Sequence, residues 1–282
     1  MQSLRDIRRR LKSIESTQKI TRAMKMISIS KLRFVQRHLE GYAMYFRHLE
    51  EILKNTASGA AQSHPFLRKP REENAVLIYL ITADTGLCGA YNNEVITTVV
   101  NFMKANSDKN FKFVCIGKKG FNFCSKNGWN IIDSRVNFNG RYSHIEADKI
   151  SQDMGNFFLN GVADSVYAAY TVFGSHAKQY PVIEKVLNIE ADKNDGVVYS
   201  FEPAREDVLS GIVPFYLRFK TRYCLMSSFG SEHSARAMAM GEASDNAKEL
   251  SESLILTRNK VRQAGITRDI IEVISSSEAL KG

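Results

Sequence analysis

The stretch of this 282-residue chain most open to a chemical reading is Asp84-Thr85-Gly86-Leu87-Cys88-Gly89-Ala90-Tyr91-Asn92. It follows an apolar run, AVLIYLIT (75–82), and precedes a segment from Glu94 to about Lys104 with helical character. Strand, glycine turn and helix open a βαβ unit, and glycines there can let backbone amides face a phosphate at a helix start. The pattern is neither GxGxxG nor GxxxxGK[ST], so Gly86 and Gly89 read as structural-turn glycines. No paired carboxylates, Ser-His-Asp spacing or ligand cluster points to a catalytic or metal site. Cys88, Cys115, Cys124 and Cys224 form no CxxC pair. They read as reduced thiols, with Cys115 and Cys224 as packing groups. His144 and His176 fall in or near loops and read as exposed. His233 and Arg236 stand out as large polar groups in a small-sided stretch, 227–247.

The elements that carry these residues begin with two long helices. Leu4, Ile7, Leu11, Ile14, Gln18, Thr21, Lys25, Ser28, Leu32, Val35, Leu39, Tyr42, Phe46, Leu49 and Leu53 recur every three and four residues, a heptad seam with apolar ends and a polar middle. Ile20, Met24, Met26 and Ile27 lie on a neighbouring face. Either the helix rotates there, or it offers apolar side chains to something other than its partner helix. At the other end Leu250, Leu254, Thr257, Val261 and Ala264 repeat at the same spacing. Ile266, Ile270, Val273 and Ile274 continue on a slightly rotated face, an apolar tip in need of a socket. The small residues of 227–247 let two helix backbones approach closely. Pro214 suits the first turn of this helix.

Between the helices, alternating strand and helix signals indicate an α/β domain with a mostly parallel sheet. Strands are expected at 75–82, 111–117, 129–136, within 162–173, at 180–190 and at 197–201, with Pro181 marking an edge or hairpin. The organisation is then an N-terminal helix (1–56), a connector (57–74), an inserted Rossmann-like α/β domain (75–203) and a C-terminal helix (204–282). The two terminal helices pair as a long antiparallel coiled coil.

Net charge is +9 with a pI near 9.3, which points to an acidic partner. Eleven Lys and Arg residues between Arg5 and Arg37 face only Asp6 and Glu15, so the first helix is a basic rod. It lacks the interleaved aromatics of a nucleic-acid binder. No apolar run approaches the roughly 20 residues of a membrane span. The basic, amphipathic start raises a transit peptide, but the seam already begins at Leu4, and it reads as part of the mature helix.

Three long motifs carry a resemblance. MQSLRDIRRRLKSIESTQKITRAMKMISISKLR, DTGLCGAYN, and EHSARAMAMGEASDNAKEL followed by TRNKVRQAGITRDIIEVISSSEAL resemble, in order, the corresponding segments of the gamma subunit family of F-type ATP synthases. The resemblance implies a left-handed coiled-coil shaft inside a ring of alternating alpha and beta subunits. The inserted domain would sit against the epsilon subunit and the membrane c-ring. Proton flow would turn the shaft and drive the catalytic beta subunits through open, loose and tight states. The chain would be a non-catalytic subunit without cofactor or metal, one copy per complex, peripheral on the cytoplasmic face of a bacterial inner membrane. By match to the family's motifs, Met24 and Lys25 would meet the acidic lever of a beta subunit. Arg236, Gln263 and Thr267 would touch the alpha/beta ring. The chain departs from the family's usual pattern at Thr85, Ala90 and Gly265, which bears on local loop contacts and on tip stiffness. A coiled-coil adaptor with an α/β head is the alternative on the residues alone.

Overall fold

A computed structural model describes residues 3–57, 64–67, 73–138, 140–174, 179–189, 202 and 204–279. The element order is α1 (Leu4–Ala57), a short 3-10 turn (Pro65–Leu67), β1 (Ala75–Ile81), α2 (Tyr91–Ala105), β2 (Asn110–Ile116), α3 (Lys118–Lys126), β3 (Ile131–Arg135), α4 (His144–Leu159), β4 (Ser165–Phe173), β5 (Gln179–Leu187) and α5 (Arg205–Ala279). The strand expected at 197–201 and His176 lie outside the described residues. The chain divides into two compact units, one of residues 28–236 and one of residues 1–27 with 237–282.

The larger unit is built on a five-stranded sheet of order β3-β2-β1-β4-β5. Strands β1 to β4 are parallel, and β5 runs antiparallel at the edge. Pro181 sits in this edge strand opposite Thr171, where its missing N–H costs no interior ladder bond. Strand β1 is apolar throughout because both its faces are covered. Val76, Ile78 and Leu80 pack with Val95 and Val99 of α2 and with Cys115 and Cys124. Leu77, Tyr79 and Ile81 pack with Ile150 and Met154 of α4, Leu217 and Leu225 of α5, and Leu53 of α1. The result is a three-layer sandwich whose second helical layer is made partly from the two long helices. All four cysteines are free and buried.

Helix α1 runs 54 residues without a break, about 80 Å at 1.5 Å per residue. Every seam residue read from the sequence is buried or half-buried, from Leu4 through Gln18, Thr21, Lys25 and Ser28 to Leu53. The inward line therefore holds its course through the polar middle. Ile20, Met26 and Ile27 are 58%, 62% and 57% exposed. Of the two alternatives, the helix does not rotate; it turns these apolar side chains outward.

Helix α5 corrects the expected register. Its inward line is Met240, Ser244, Ala247, Ser251, Leu254, Arg258, Val261 and Gly265. Leu254 and Val261 are where the spacing put them, but Leu250, Thr257 and Ala264 are exposed, each one residue before the true seam position. Hydrophobicity misplaced the line because this seam is made of small and polar residues. A second correction concerns Pro214, which lies inside the helix and not in its first turn. Proline leaves the carbonyl four residues earlier without its helical donor. That residue, Ser210, is exposed, as is Pro214, so water can serve the freed group.

Candidate functional site

In the larger unit, the crevice between β1 and β4 at their carboxyl ends is the switch point, where open α/β sheets bind ligands. Here the chain's own α5 fills it. The Ser227 hydroxyl accepts from the Phe173 amide at 2.7 Å, and the Ser231 hydroxyl donates to the Thr171 carbonyl at 3.3 Å. The Tyr91 and Ser228 hydroxyls share a hydrogen bond of 2.7 Å. The small side chains of 227–234 thus bring the helix against the sheet end and the helix following the first turn. Helix-to-helix approach, the reason expected for them, applies at Gly230, where a Cβ would lie 3.0 Å from Val35 Cγ1.

One turn further along, Glu232, His233 and Arg236 form a buried polar cluster, only 2%, 3% and 6% exposed. Arg236 Nη1 donates to Glu232 Oε1 at 2.6 Å. Its Nη2 donates to Thr85 Oγ1 at 3.0 Å and to the Gly86 carbonyl at 3.3 Å. Arg236, expected at the alpha/beta ring, is therefore spent inside its own chain, on the turn after β1. Burial pushes the Glu232 carboxyl above its ordinary range, and the Arg236 guanidinium offsets part of that rise. His233 donates from Nε2 to the Gly140 carbonyl at 2.9 Å, leaving Nδ1 to face Arg236. Burial lowers its pKa to about 4, and the nearby Lys31 and Arg236 cations add to the effect, so the ring is neutral. The signal that could have found this cluster is the spacing of Glu232 and Arg236, four apart on a helix in the favourable order.

The turn itself is held by Asp84, whose Oδ1 accepts from the amides of Lys118 and Asn137, each at 3.0 Å. Asn92 Oδ1 accepts from the Ala83 amide at 2.9 Å. Gly89 has φ +57°, the left-handed conformation for which glycine was expected. Gly86 does not; the second left-handed residue is Leu87 at 62°.

The smaller unit is a pair of helical segments. Lys25 lies on its seam and packs over Gly241, where a Cβ would meet Lys25 Nζ at 3.2 Å. Met24 and Lys25 are half-buried, while Gln263 and Thr267 are exposed. Every residue from Ile266 to Ser277 is exposed, including Ile266, Ile270, Ile271, Val273 and Ile274. Arg5, Arg8, Arg9, Arg10, Lys12, Lys19 and Arg22 all face solvent. The unit thus has a closed seam, a basic outer surface and apolar side chains facing outward at two places.

The comparisons agree with this arrangement over the whole length. The ATP synthase family model matches residues 3–280. The ATP synthase gamma chain of Halothermothrix orenii is 38% identical over 290 residues, covering all of both chains. That of Flavobacterium psychrophilum is 37% identical over 289 residues, again covering both entirely. Among solved structures, a chain of the Euglena gracilis mitochondrial ATP synthase (OSCP/F1/c-ring, rotational state 3) superposes with a TM-score of 0.73 at 19% identity, covering 98% of this chain and 94% of that one. A chain of the Tetrahymena thermophila central stalk and c-ring gives 0.57 at 23% identity, covering 80% and 99%. The sequence matches and the paired helices with their intervening sheet lead to one conclusion: the chain belongs to the ATP synthase gamma family.

Proposed function

We propose that this chain is the central rotary shaft of an ATP synthase, coupling ion flow through a membrane ring to the conformational cycle of catalytic beta subunits. The observation that carries this reading is the smaller unit's split between seam and surface. A helix pair that existed only to hold itself together would turn its best apolar residues inward. Here the seam takes Thr21, Lys25, Ser244 and Ser251, and Ile20, Met26, Ile27 and the α5 tip stay outside. Fully burying one such side chain is worth about 1.5–3 kcal/mol. A few isolated contacts guide a rotor in a socket, and a continuous sticky surface would stall it.

Met24, with the neighbouring Lys25, meets the acidic lever of a beta subunit in this reading, and Gln263 and Thr267 on α5 touch the alpha/beta ring. Arg236 acts differently, by fixing α5 to the turn after β1. The exposed arginines and lysines of α1 add longer-range attraction to acidic loops. The shaft is non-catalytic and present once per complex. It meets the epsilon subunit and the c-ring through the sheet-bearing unit. The complex stands on the cytoplasmic face of a bacterial membrane.

Mixing the chain with matching alpha and beta subunits and following ATP hydrolysis tests the reading. Sustained turnover only in the three-part mixture, with this chain inert alone, supports it. Equal turnover by alpha and beta without it makes the chain an adaptor. Replacing Arg8, Arg9, Arg10 and Lys12 with glutamine tests the electrostatic part; coupling unchanged in the variant would remove that part.

A further inference from the structure

The segment from Gly140 to Ser143, which leads into α4, is held at both ends by a histidine, and the two work in opposite senses. At one end His233 Nε2 donates to the Gly140 carbonyl at 2.9 Å. Gly140 has φ +61°, and a Cβ there would meet the His233 ring at 2.6 Å, so only glycine lets the imidazole close on the segment. At the other end His144, the first residue of α4, turns Nδ1 towards two phenols. The Tyr42 hydroxyl of α1 lies at 3.2 Å and the Tyr142 hydroxyl at 3.3 Å. Both phenols are satisfied together when the neutral ring carries its proton on Nε2 and accepts at Nδ1. The Tyr142 ring meets His144 edge-on at 4.8 Å and 85°, and Tyr42 lies at 6.3 Å and 25°. Tyr142 also packs on the cluster of Val35 and Leu39 from α1 and Met226 from α5. The segment therefore ties the two long helices together.

The two histidines sit in different surroundings. His144 is exposed. Facing it are Tyr42 and His38 of α1, Tyr142, Asp148 of α4 and Arg222 of α5. Asp148 is committed to Arg222, accepting from Nε at 2.8 Å and Nη2 at 2.7 Å. Burial lowers the His144 pKa, and Arg222 adds to the effect against Asp148. His233 is buried and faces Lys31 of α1 and Arg236 of α5, with Glu232 paired to Arg236 and Arg141 close to Lys31. Its pKa is lowered further, to about 4.

We infer that Gly140–Ser143 is a strap across α1 and α5 that acid releases in two steps, the His144 end first and the His233 end only in stronger acid. A protonated His144 can only donate, and its single Nδ1–H serves one phenol. At least one of the two contacts is lost, and the new charge stands beside Arg222. His233 keeps its Nε2–H on Gly140 in either state. Its own protonation adds an N–H at Nδ1, which lies 3.5 Å from Arg236 Nη1.

Hydrogen exchange of the full chain, corrected for intrinsic rates, tests this at the Arg141 and Ala147 amides. These donate to the Phe138 carbonyl at 2.9 Å and to the Ser143 carbonyl at 3.0 Å. Between about pH 7.5 and 5.5, either side of the ordinary imidazole value, opening there should rise several-fold while β1 stays protected. His144→Gln, whose amide oxygen accepts at any pH, should abolish that rise. Tyr42→Phe should open the strap several-fold already at neutral pH. A second rise near pH 4 should be missing from His233→Gln. Unchanged β1 protection shows that a variant is folded; should it fall, the native chain's pH profile decides alone. Exchange independent of pH, a rise spread equally over the sheet, a rise that persists in a folded His144→Gln chain, or native protection in Tyr42→Phe each overturns the proposal.

Discussion

The two long helices answer the same task with opposite chemistry. Helix α1 brings large apolar side chains to its inward line over most of its length: Ile7, Leu11, Leu32, Val35, Leu39, Phe46, Leu49 and Leu53 are all buried. Helix α5, from Ser227 to Ser251, brings hydroxyls, alanines, two glycines and a buried ion pair, with Phe229 and Met240 as its large buried apolar side chains. One helix supplies bulk, and the other supplies room and directed hydrogen bonds. Where bulk does the holding, stability follows buried area. Where hydrogen bonds do it, stability hangs on a few atoms, and losing one partner strands the other.

The largest expected effect is at the ion pair. Arg236→Gln removes the guanidinium from beside Glu232, whose carboxylate then stays buried without its partner. Breaking such a pair costs about 3–5 kcal/mol. Urea unfolding at pH 7 should read a loss of that size. The loss should shrink at acid pH, since a protonated Glu232 no longer carries a stranded charge. A loss below about 1 kcal/mol, as for an exposed pair, would mean that α5 is held by area after all, and the contrast between the helices would break.

A paired substitution sharpens the same contrast. Leu32→Ala on α1 should cost about 2–5 kcal/mol, because the side chain is 1% exposed. Leu250→Ala on α5 should change stability by about 0.5 kcal/mol or less, since that leucine is 51% exposed. Equal losses would restore the register that hydrophobicity alone suggests.

These two leucines also show what was legible in the sequence. The α1 seam could be read residue by residue because its knobs are apolar, and the strands because β1 is apolar on both faces. The antiparallel edge strand was signalled by Pro181. The α5 register was not legible, because periodicity is read from hydrophobic side chains and this seam has few. Leu250 points outward and pulled the reading to a neighbouring face. The site divides in the same way. Gly89 declared itself by type and place, whereas the inward role of Arg236 depends on where the turn after β1 comes to rest, which no local pattern encodes. Ser227 and Ser231 looked like residues chosen for smallness alone, yet their hydroxyls hold the end of β4.

A smaller effect belongs to His233. Its folded-state pKa is lowered to about 4, so the folded chain binds fewer protons there than the unfolded chain. The stability it contributes is present above an unfolded pKa of about 6.5 and is lost as pH falls towards 4. Over that window the loss attributable to His233 is about 3 kcal/mol. Glu232 runs the other way, since its raised pKa favours the folded state as the carboxyl takes up its proton. The His233→Gln chain isolates the histidine: its stability should be flatter with pH between about 6.5 and 4 than that of the native chain. Parallel pH curves would show that the imidazole is not neutral and buried as described.

The smallest effect separates room that is used from room that is not. Gly265 lies on the inward line of α5, and Gly241 is buried beside Met240 at its start. A Cβ on Gly241 would meet Lys25 Nζ at 3.2 Å, whereas nothing lies within 4 Å of one on Gly265. Neither glycine has a positive φ, so alanine fits both backbones. Glycine costs a helix about 0.8–1.0 kcal/mol relative to alanine. Gly265→Ala should recover most of that locally, with slower amide exchange over 262–272 and little change in global unfolding, because the tip beyond it is exposed throughout. Gly241→Ala must displace the Lys25 ammonium from the seam. Its propensity gain is then offset by lost contact, and its net effect should be the smaller of the two. If alanine at 241 stabilises as much as alanine at 265, Lys25 is not held by the notch, and its ammonium is free to reach outward. If Gly265→Ala leaves exchange at the tip unchanged, another constraint already stiffens that end of α5, and the openness around Gly265 does not govern its helix.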